Sequence, residues 1–589
     1  MPVFATRGPG AIALHPEEKV ARYRGLGWWT DDTIDDLVRA AARRRPGALA
    51  VVDSPDKHLL GDLPGHRLTW SELDSAVDAL AATLIRQGIG VGDVVGVQLP
   101  NIVELVITYF AVIRIGGIVS PLNTQYREHE LNAAARAAAF TAFITTTRIG
   151  DRHTAAASRV LADGGPVRSI LVFGEEPGEE PGEEPGGVPG DGPHRTGTIA
   201  GLCVRSATAE DLERVRERRD RYRADPNHCV TICWTSGTEG SPKGVPRCHY
   251  DWLAVAAVTQ DAPDLTENDV ILNPFPLVNM ASIAGTLLPW LRLGARYVLH
   301  QPFTVPTFLR QIAEERVTYT VAPPSVLTML LKRDDLLRET DLGSLRSIAS
   351  GSAPLPSSMV AGWQERFGIN VINMFGSNEG VCLLSTPADF PDPRQRATYF
   401  PRYGAPGVTW SCQSMDRVAV KLVDTATGAE ITEPGRRGEL RIDGPTIFSG
   451  YLAGTGRDPF DEEGFLRSGD VFELAGDRGQ YLRYVDRARD VIIRGGMNIA
   501  PAEIEDLLLL HPAVVEAALV GYPDEVLGEK ACAVVVTAPD TRVTPDELLD
   551  HLRAHRIASF KLPERFRFVD ALPRNALGKI IKHRLRAQL

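Results

Sequence analysis

Hydrophobic positions along this chain change period repeatedly. In "LTWSELDSAVDALAATLIRQGI", residues 68–89, apolar residues return every three or four positions. That spacing predicts an amphipathic helix, with Thr69 or Ser71 near its start and Gly88 at its end. "DVVGVQLP" follows as a continuous apolar run, read as a buried strand, and a helix carrying Tyr109 and Phe110 comes next. "TYTVAPPSVLTMLLK" and "SLRSIASGSAPLP" again pass from an apolar strand through a turn into a helix. This alternation predicts an α/β fold with largely parallel sheets.

The pattern shifts after about residue 417. "VAVKLVD", "GELRID" and "QYLRYVD" alternate as antiparallel strands do, with Gly and Asp turns between them. A last stretch has its own strand and helix pattern in "AEIEDLLLLH", "VVEAALVGY", "ACAVVVT" and "PDELLDHLRAH". It reads as a small α+β domain. The charged, Gly-flanked junction "YVDRARDVIIRGG" suits a hinge. The expected division is an N-terminal domain over 1–486, β-rich over about 417–486, and a C-terminal domain over 487–589. One segment fits neither: "GEEPGEEPGEEPGGVPGDGP", residues 174–193, is read as a disordered surface insertion.

Composition narrows the class. The chain has 589 residues and a net charge of -11, with no long basic run, which argues against nucleic acid as its partner. The most apolar stretch, "ELVITYFAVIRIGGIVSPL", is broken by Arg114 and Gly116-Gly117 and suits a buried helix entering a strand, not a membrane span. The seven cysteines are irregularly spaced. They suggest free thiols in a reducing cytoplasm rather than a disulfide framework or zinc site.

The chemistry begins at "TSGTEGSPKG", residues 235–244. A Walker loop needs Gly-Lys-Ser/Thr at its end, and here Lys243 follows proline with no hydroxyl after it. Glycines that admit backbone N–H groups, several hydroxyls and one lysine still suit phosphate. "NMFGSNEG" offers Glu379 as a magnesium ligand. "RSGD" offers Asp470 for ribose hydroxyls. "VDRARD" supplies Arg487, and "LPRNALGK" supplies Lys579.

In that order and spacing, these motifs resemble the adenylate-forming enzymes: acyl-CoA synthetases, aryl-acid ligases, adenylation domains and luciferase. "QLPN", "PLNTQYREHEL" and "GGMNIAPAEIE" are most similar to AMP-forming acyl-CoA ligases. The resemblance implies a large N-terminal domain of two sheet-helix lobes plus a small β region, and a mobile C-terminal lid. It implies attack of a carboxylate on the α-phosphate of Mg-ATP, then transfer of the acyl group to coenzyme A. The alternative acceptors are a carrier-protein phosphopantetheine or a nitrogen nucleophile. A luciferase-like oxidation is permitted, and a non-catalytic sensor is the contrasting class. A homodimer is the assembly considered.

The same resemblance assigns residues. Thr235, Ser236, Gly237, Thr238, Gly240 and Lys243 would cradle the leaving phosphates. Gly351, Ser352, Ala353 and Pro354 would lie along the adenine. Asn373, Phe375, Gly376, Asn378, Asp470 and Arg487 complete the ATP site, with Glu379 on Mg2+ and Lys579 bridging the carboxylate and the α-phosphate. The acyl pocket would comprise Asn279, Met280, Ser325, Ser350, Met374 and Val381. Gly495, Gly496 and Lys561 would meet the thiol substrate, and Arg489 holds the hinge position. Departures include Glu239 in the phosphate loop, expected to point outward, and Asn279-Met280 where hydroxybenzoate ligases have His-Asn. A medium-sized acid with some polarity is the expected substrate.

Overall fold

The computed structural model describes residues 12–162, 167–174, 198–235, 242–351, 355–380, 382–424, 427–487, 492–499, 501–538, 541–573 and 582–589. Nearly all of the 174–193 insertion therefore lies outside the described residues.

The helix predicted at 68–89 runs Trp70–Arg86. Thr69 caps it: its hydroxyl accepts the Glu72 N–H, and the Glu72 carboxylate accepts the Thr69 N–H. This reciprocal pair satisfies two donors that a helix start otherwise leaves open. Gly88, at φ 75°, follows its end. The apolar stretch at 104–122 is the helix Val103–Arg114 followed by the strand Ile118–Pro121. Arg114, the charge that interrupts the run, is buried against Asp35, Asp74 and Asp78. Burying a guanidinium is tolerable only with such partners.

Two mixed sheets form the body. In one of seven strands, Val94–Val97 lies between the parallel strands Ile118–Pro121 and Ala142–Thr146. This sheet ends in an antiparallel hairpin of Cys229–Thr235 with Lys243–Cys248. The other, of eight strands, is parallel across its centre and antiparallel at both edges. Helices cover these sheets because parallel neighbours need long crossovers. The predicted strands after residue 417 belong to a five-stranded antiparallel sheet. A smaller C-terminal domain follows. In it, Val514–Asp524 and Gly528–Thr537 form a hairpin beside helices Pro501–Leu509 and Pro545–Ala554. Among the described residues no helix is long and apolar enough to cross a membrane.

Candidate active site

The two sheets and the small domain meet at a cavity of about 770 Å³. Strand ends supply much of its wall, the usual place for ligands in α/β sheets. The hairpin of the first sheet sets Thr235 directly opposite Lys243, and both line the cavity. In the second sheet, Gly351 registers with Met374, and both line it too. A Cβ on Gly351 would fall 2.0 Å from the Met374 carbonyl oxygen. Only glycine permits this close approach of two strands. In the antiparallel sheet, Asp470 registers with Arg487, so the two residues chosen for the nucleotide sit opposite one another on adjacent strands.

Glu379 lines the cavity and accepts a hydrogen bond from the Tyr451 hydroxyl at 2.8 Å. Lys243 places its ammonium 4.9 Å from the centre of the same tyrosine ring. Tyr451 thus joins the phosphate-loop lysine to the predicted magnesium ligand. Beneath them Arg247 is fully buried and donates to the Asn378 and Thr446 carbonyl oxygens. Burial lowers its pKa, while Asp251, Cys233, Cys248 and Glu379 act in the other direction. Its remaining terminal nitrogen has no hydrogen-bond partner among the described residues. Arg247 therefore pins the turn that carries Glu379. Neither Tyr451 nor Arg247 was singled out in the sequence. The signal available for Tyr451 was only a Gly-Tyr pair after an apolar run.

One group of the lining residues is neutral: Val255, Thr259, Phe275, Gly285, Val321 and Ala349. The Thr259 hydroxyl is engaged by backbone carbonyls of its own helix and of Ala284. Asn279 and Met280 also line the cavity. The Asn279 side-chain oxygen accepts the Ser282 N–H, and no protein group among the described residues accepts from its amide nitrogen. Gly285 lies in a widened turn, Ile283–Leu287, and a Cβ built on it meets nothing within 4 Å. Such π-type turns recur at functional sites.

The small domain closes the cavity with Gly496, Met497, Glu503, Phe560 and Lys561. Lys561 is buried between Glu503 of its own domain, at 2.7 Å, and Glu130 of the large domain, at 3.4 Å. Glu130 also accepts the Ala558 N–H. Burial alone would lower the Lys561 pKa, but Glu503, Tyr126 and Glu130 outweigh it and the net shift is upward. Burial raises the Glu503 pKa against the pull of Lys561. Lys561 is thus committed to carboxylates in this arrangement.

The other predicted residues divide. Ser350, Phe375, Gly376, Asn378 and Asp470 line the cavity. The Asn378 side-chain oxygen accepts the Met280 N–H at 2.8 Å, tying the nucleotide turn to the acyl wall. Asn373 does not face the cavity: it is buried and donates to the Arg396 and Ala397 carbonyl oxygens. Gly495 is held by Leu527, one residue away from the lining Gly496. Ser236, Gly237, Thr238, Glu239, Gly240, Ser352, Ala353, Pro354, Val381, Arg489 and Lys579 lie outside the described residues. So do the side chains of Ser325 and Arg487.

Fold and cavity together define a two-domain enzyme of the adenylate-forming class. The family model "AMP-binding enzyme" matches residues 38–452, and "AMP-binding enzyme C-terminal domain" matches 503–579. The chain belongs to the AMP-binding enzyme family. It is 31% identical over 585 residues to the medium-chain fatty-acid–CoA ligase of Escherichia coli, covering 97% of this chain and 93% of the relative. It is 30% identical to the salicyl-AMP ligase / salicyl-S-ArCP synthetase of Mycobacterium tuberculosis, covering 99% and 95%. The solved amide bond synthetase McbA from Marinactinospora thermotolerans superposes with a TM-score of 0.74 at 26% identity, covering 95% of this chain and 99% of that one. Membership implies an adenylate-forming ligase that uses ATP, usually with Mg2+.

Proposed function

We propose that this protein is an AMP-forming carboxylate–CoA ligase for a medium-sized acid that is neutral apart from its carboxylate. The observation that carries the acid class is the neutral, Gly285-opened wall, with the Asn279 amide as a donor suited to one polar group. The relation to a fatty-acid–CoA ligase supports CoA as the acceptor.

In the first half-reaction a carboxylate oxygen attacks the α-phosphorus of ATP, and the bond to pyrophosphate breaks. Both reactants are anions, so positive charge must offset their repulsion. Lys243 and the loop from Thr235 would hold the departing phosphates. Glu379, oriented by Tyr451, suits an oxygen-liganding cation, and Mg2+ would supply charge there. Asp470 and Arg487 would hold the nucleoside, and Lys579 would bridge the attacking carboxylate and the α-phosphate. In the second half-reaction the thiol sulfur attacks the acyl carbon and AMP leaves. Gly496, at φ 82° with open space where a Cβ would stand, suits passage of a pantetheine arm beside the backbone. Lys561 takes no part in phosphate recognition in this reading, because carboxylates already hold it.

A second reading keeps the same first step and delivers the adenylate to a carrier-protein thiol or a nitrogen nucleophile. The salicyl-S-ArCP synthetase and amide bond synthetase relatives favour it. Pyrophosphate exchange across a panel of acids, followed by mass spectrometry after adding CoA, separates the two. We expect an acyl-CoA thioester, and exchange without thioester would favour the second reading. Lys579→Ala should slow adenylate formation on the order of 100-fold and spare thioester formation from supplied adenylate. Equal loss in both halves would contradict the assigned role.

A further inference from the structure

Helix His249–Asp261 has a cavity on each side. Val255 and Thr259 face the active cavity. Tyr250, Leu253, Ala254, Ala257 and Asp261 face a second one, of about 230 Å³. At roughly 100° per residue these two sets lie on opposite faces of one helix. The second cavity is completed by the turn holding Trp28 and Trp29 and by Arg292, Ser414 and Arg417. Trp29 and Tyr250 stack at 4.5 Å and 7°, giving it a firm aromatic side.

Two guanidinium groups share this space. Arg292 uses its ε nitrogen on Gln260, and neither it nor Arg417 forms an ion pair among the described residues. Burial lowers the Arg292 pKa, and the Arg417 charge lowers it further, against the pull of Asp261 and Asp32. Asp261 is engaged instead by the Ser414 hydroxyl. Two guanidinium groups line the cavity against the single carboxylate of Asp261, so the lining keeps an excess positive charge that an anion with an apolar body would offset.

We propose that this cavity is a second binding site, for a small organic monocarboxylate whose charged end meets Arg292 and Arg417 and whose body lies against Trp28, Leu253 and Ala257. Trp28, Leu253 and Ala257 among the lining favour a carboxylate with a hydrophobic body over inorganic phosphate, and the nearby Asp261 disfavours a dianion. The site is separated from the acyl pocket by a single helix. A second connection runs from Arg292, in helix Leu288–Leu293, directly into the turn that carries Gly285. An acid bound here would brace the wall behind the reacting one.

Equilibrium dialysis of the full chain with radiolabelled benzoate, without nucleotide, tests this independently of turnover. We expect Arg292→Gln and Ala257→Trp each to weaken a benzoate site by about tenfold or more, while Gly285→Val leaves that site intact. Arg292→Lys should restore part of the affinity. Should Arg292→Gln fail to fold, Ala257→Trp carries the test. Unchanged binding in the folded variants would overturn the proposal. So would no binding up to about 10 mM, or displacement by equimolar inorganic phosphate. None of these results touches the ligase reading, which stands or falls on exchange and thioester formation.

Discussion

The active cavity carries Lys243, Glu379, Asp470, Glu503 and Lys561 in one part of its lining, whereas another part is Val255, Phe275, Gly285, Val321 and Ala349. The charged side is cross-braced: Tyr451 ties Glu379 to Lys243, and Arg247 ties their turn to the core. The neutral side is shaped mainly by what is missing, a side chain at Gly285. In the proposed function Lys243, Glu379 and Asp470 would serve phosphate and nucleoside binding, where electrostatic groups must be fixed in advance to act on developing charge. The neutral part would meet the acid, where a hydrophobic pocket discriminates by size and shape.

The charged side offers the sharpest way to break this contrast. Glu379→Gln should cut adenylate formation on the order of 100-fold by removing a cation ligand, with Tyr451→Phe costing about tenfold through the same group. Both losses should shrink when magnesium is raised in a titration. Losses indifferent to magnesium would show that the pair has another task. At the junction of the domains, Glu130→Gln should slow thioester formation about tenfold and leave pyrophosphate exchange near normal, because Lys561 and Glu130 meet only across the docked interface. Stopped-flow measurement of each half separates that outcome from a general loss of stability.

On the neutral side, Gly285→Val should leave the KM for ATP unchanged and reduce kcat/KM for the longest accepted acids about tenfold, with short acids spared. A uniform loss across acid lengths would mean that Gly285 does not bound the pocket. The smallest effect concerns stability outside the cavity. Burial, with the Glu104 charge adding to it, pushes Asp53 up to about 6, while Lys57 and His66 pull the other way. A carboxyl that holds its proton more tightly when folded stabilises the fold below its ordinary 3.8 and loses that contribution as pH rises through about 6. Measured against Asp53→Asn at the same pH, the wild-type urea midpoint should lose ground as pH rises between these values.

Much of the charged side was legible in the sequence, because phosphate chemistry uses few residue types at fixed spacings. Thr235, Lys243, Glu379 and Asp470 all line one cavity although they span more than two hundred positions. Asn373 misled because its neighbour Met374 lines the cavity, and strand alternation turns Asn373 to the opposite face, where it is held by the Arg396 and Ala397 carbonyl oxygens. The carboxylates around Lys561 were not legible, because a lysine in a charged segment says nothing of what will surround it once two domains dock. Arg247 and Tyr451 went unread because their partners are far away along the chain. The fold was plainer: Thr69 with Glu72, and the switch from helical spacing to alternation after residue 417, are local signals that the packing reinforced.

The close approach of Gly351 to Met374 also bears on how this chain can change over generations. With a carbonyl oxygen 2.0 Å from any added carbon, nearly every codon change at 351 would push two core strands apart. At 285 the same kind of change meets only empty space. A side chain is therefore sterically admitted at 285, where the proposed acid would lie, and refused at 351, so a change of substrate is open at one position while the strand pairing is held at the other.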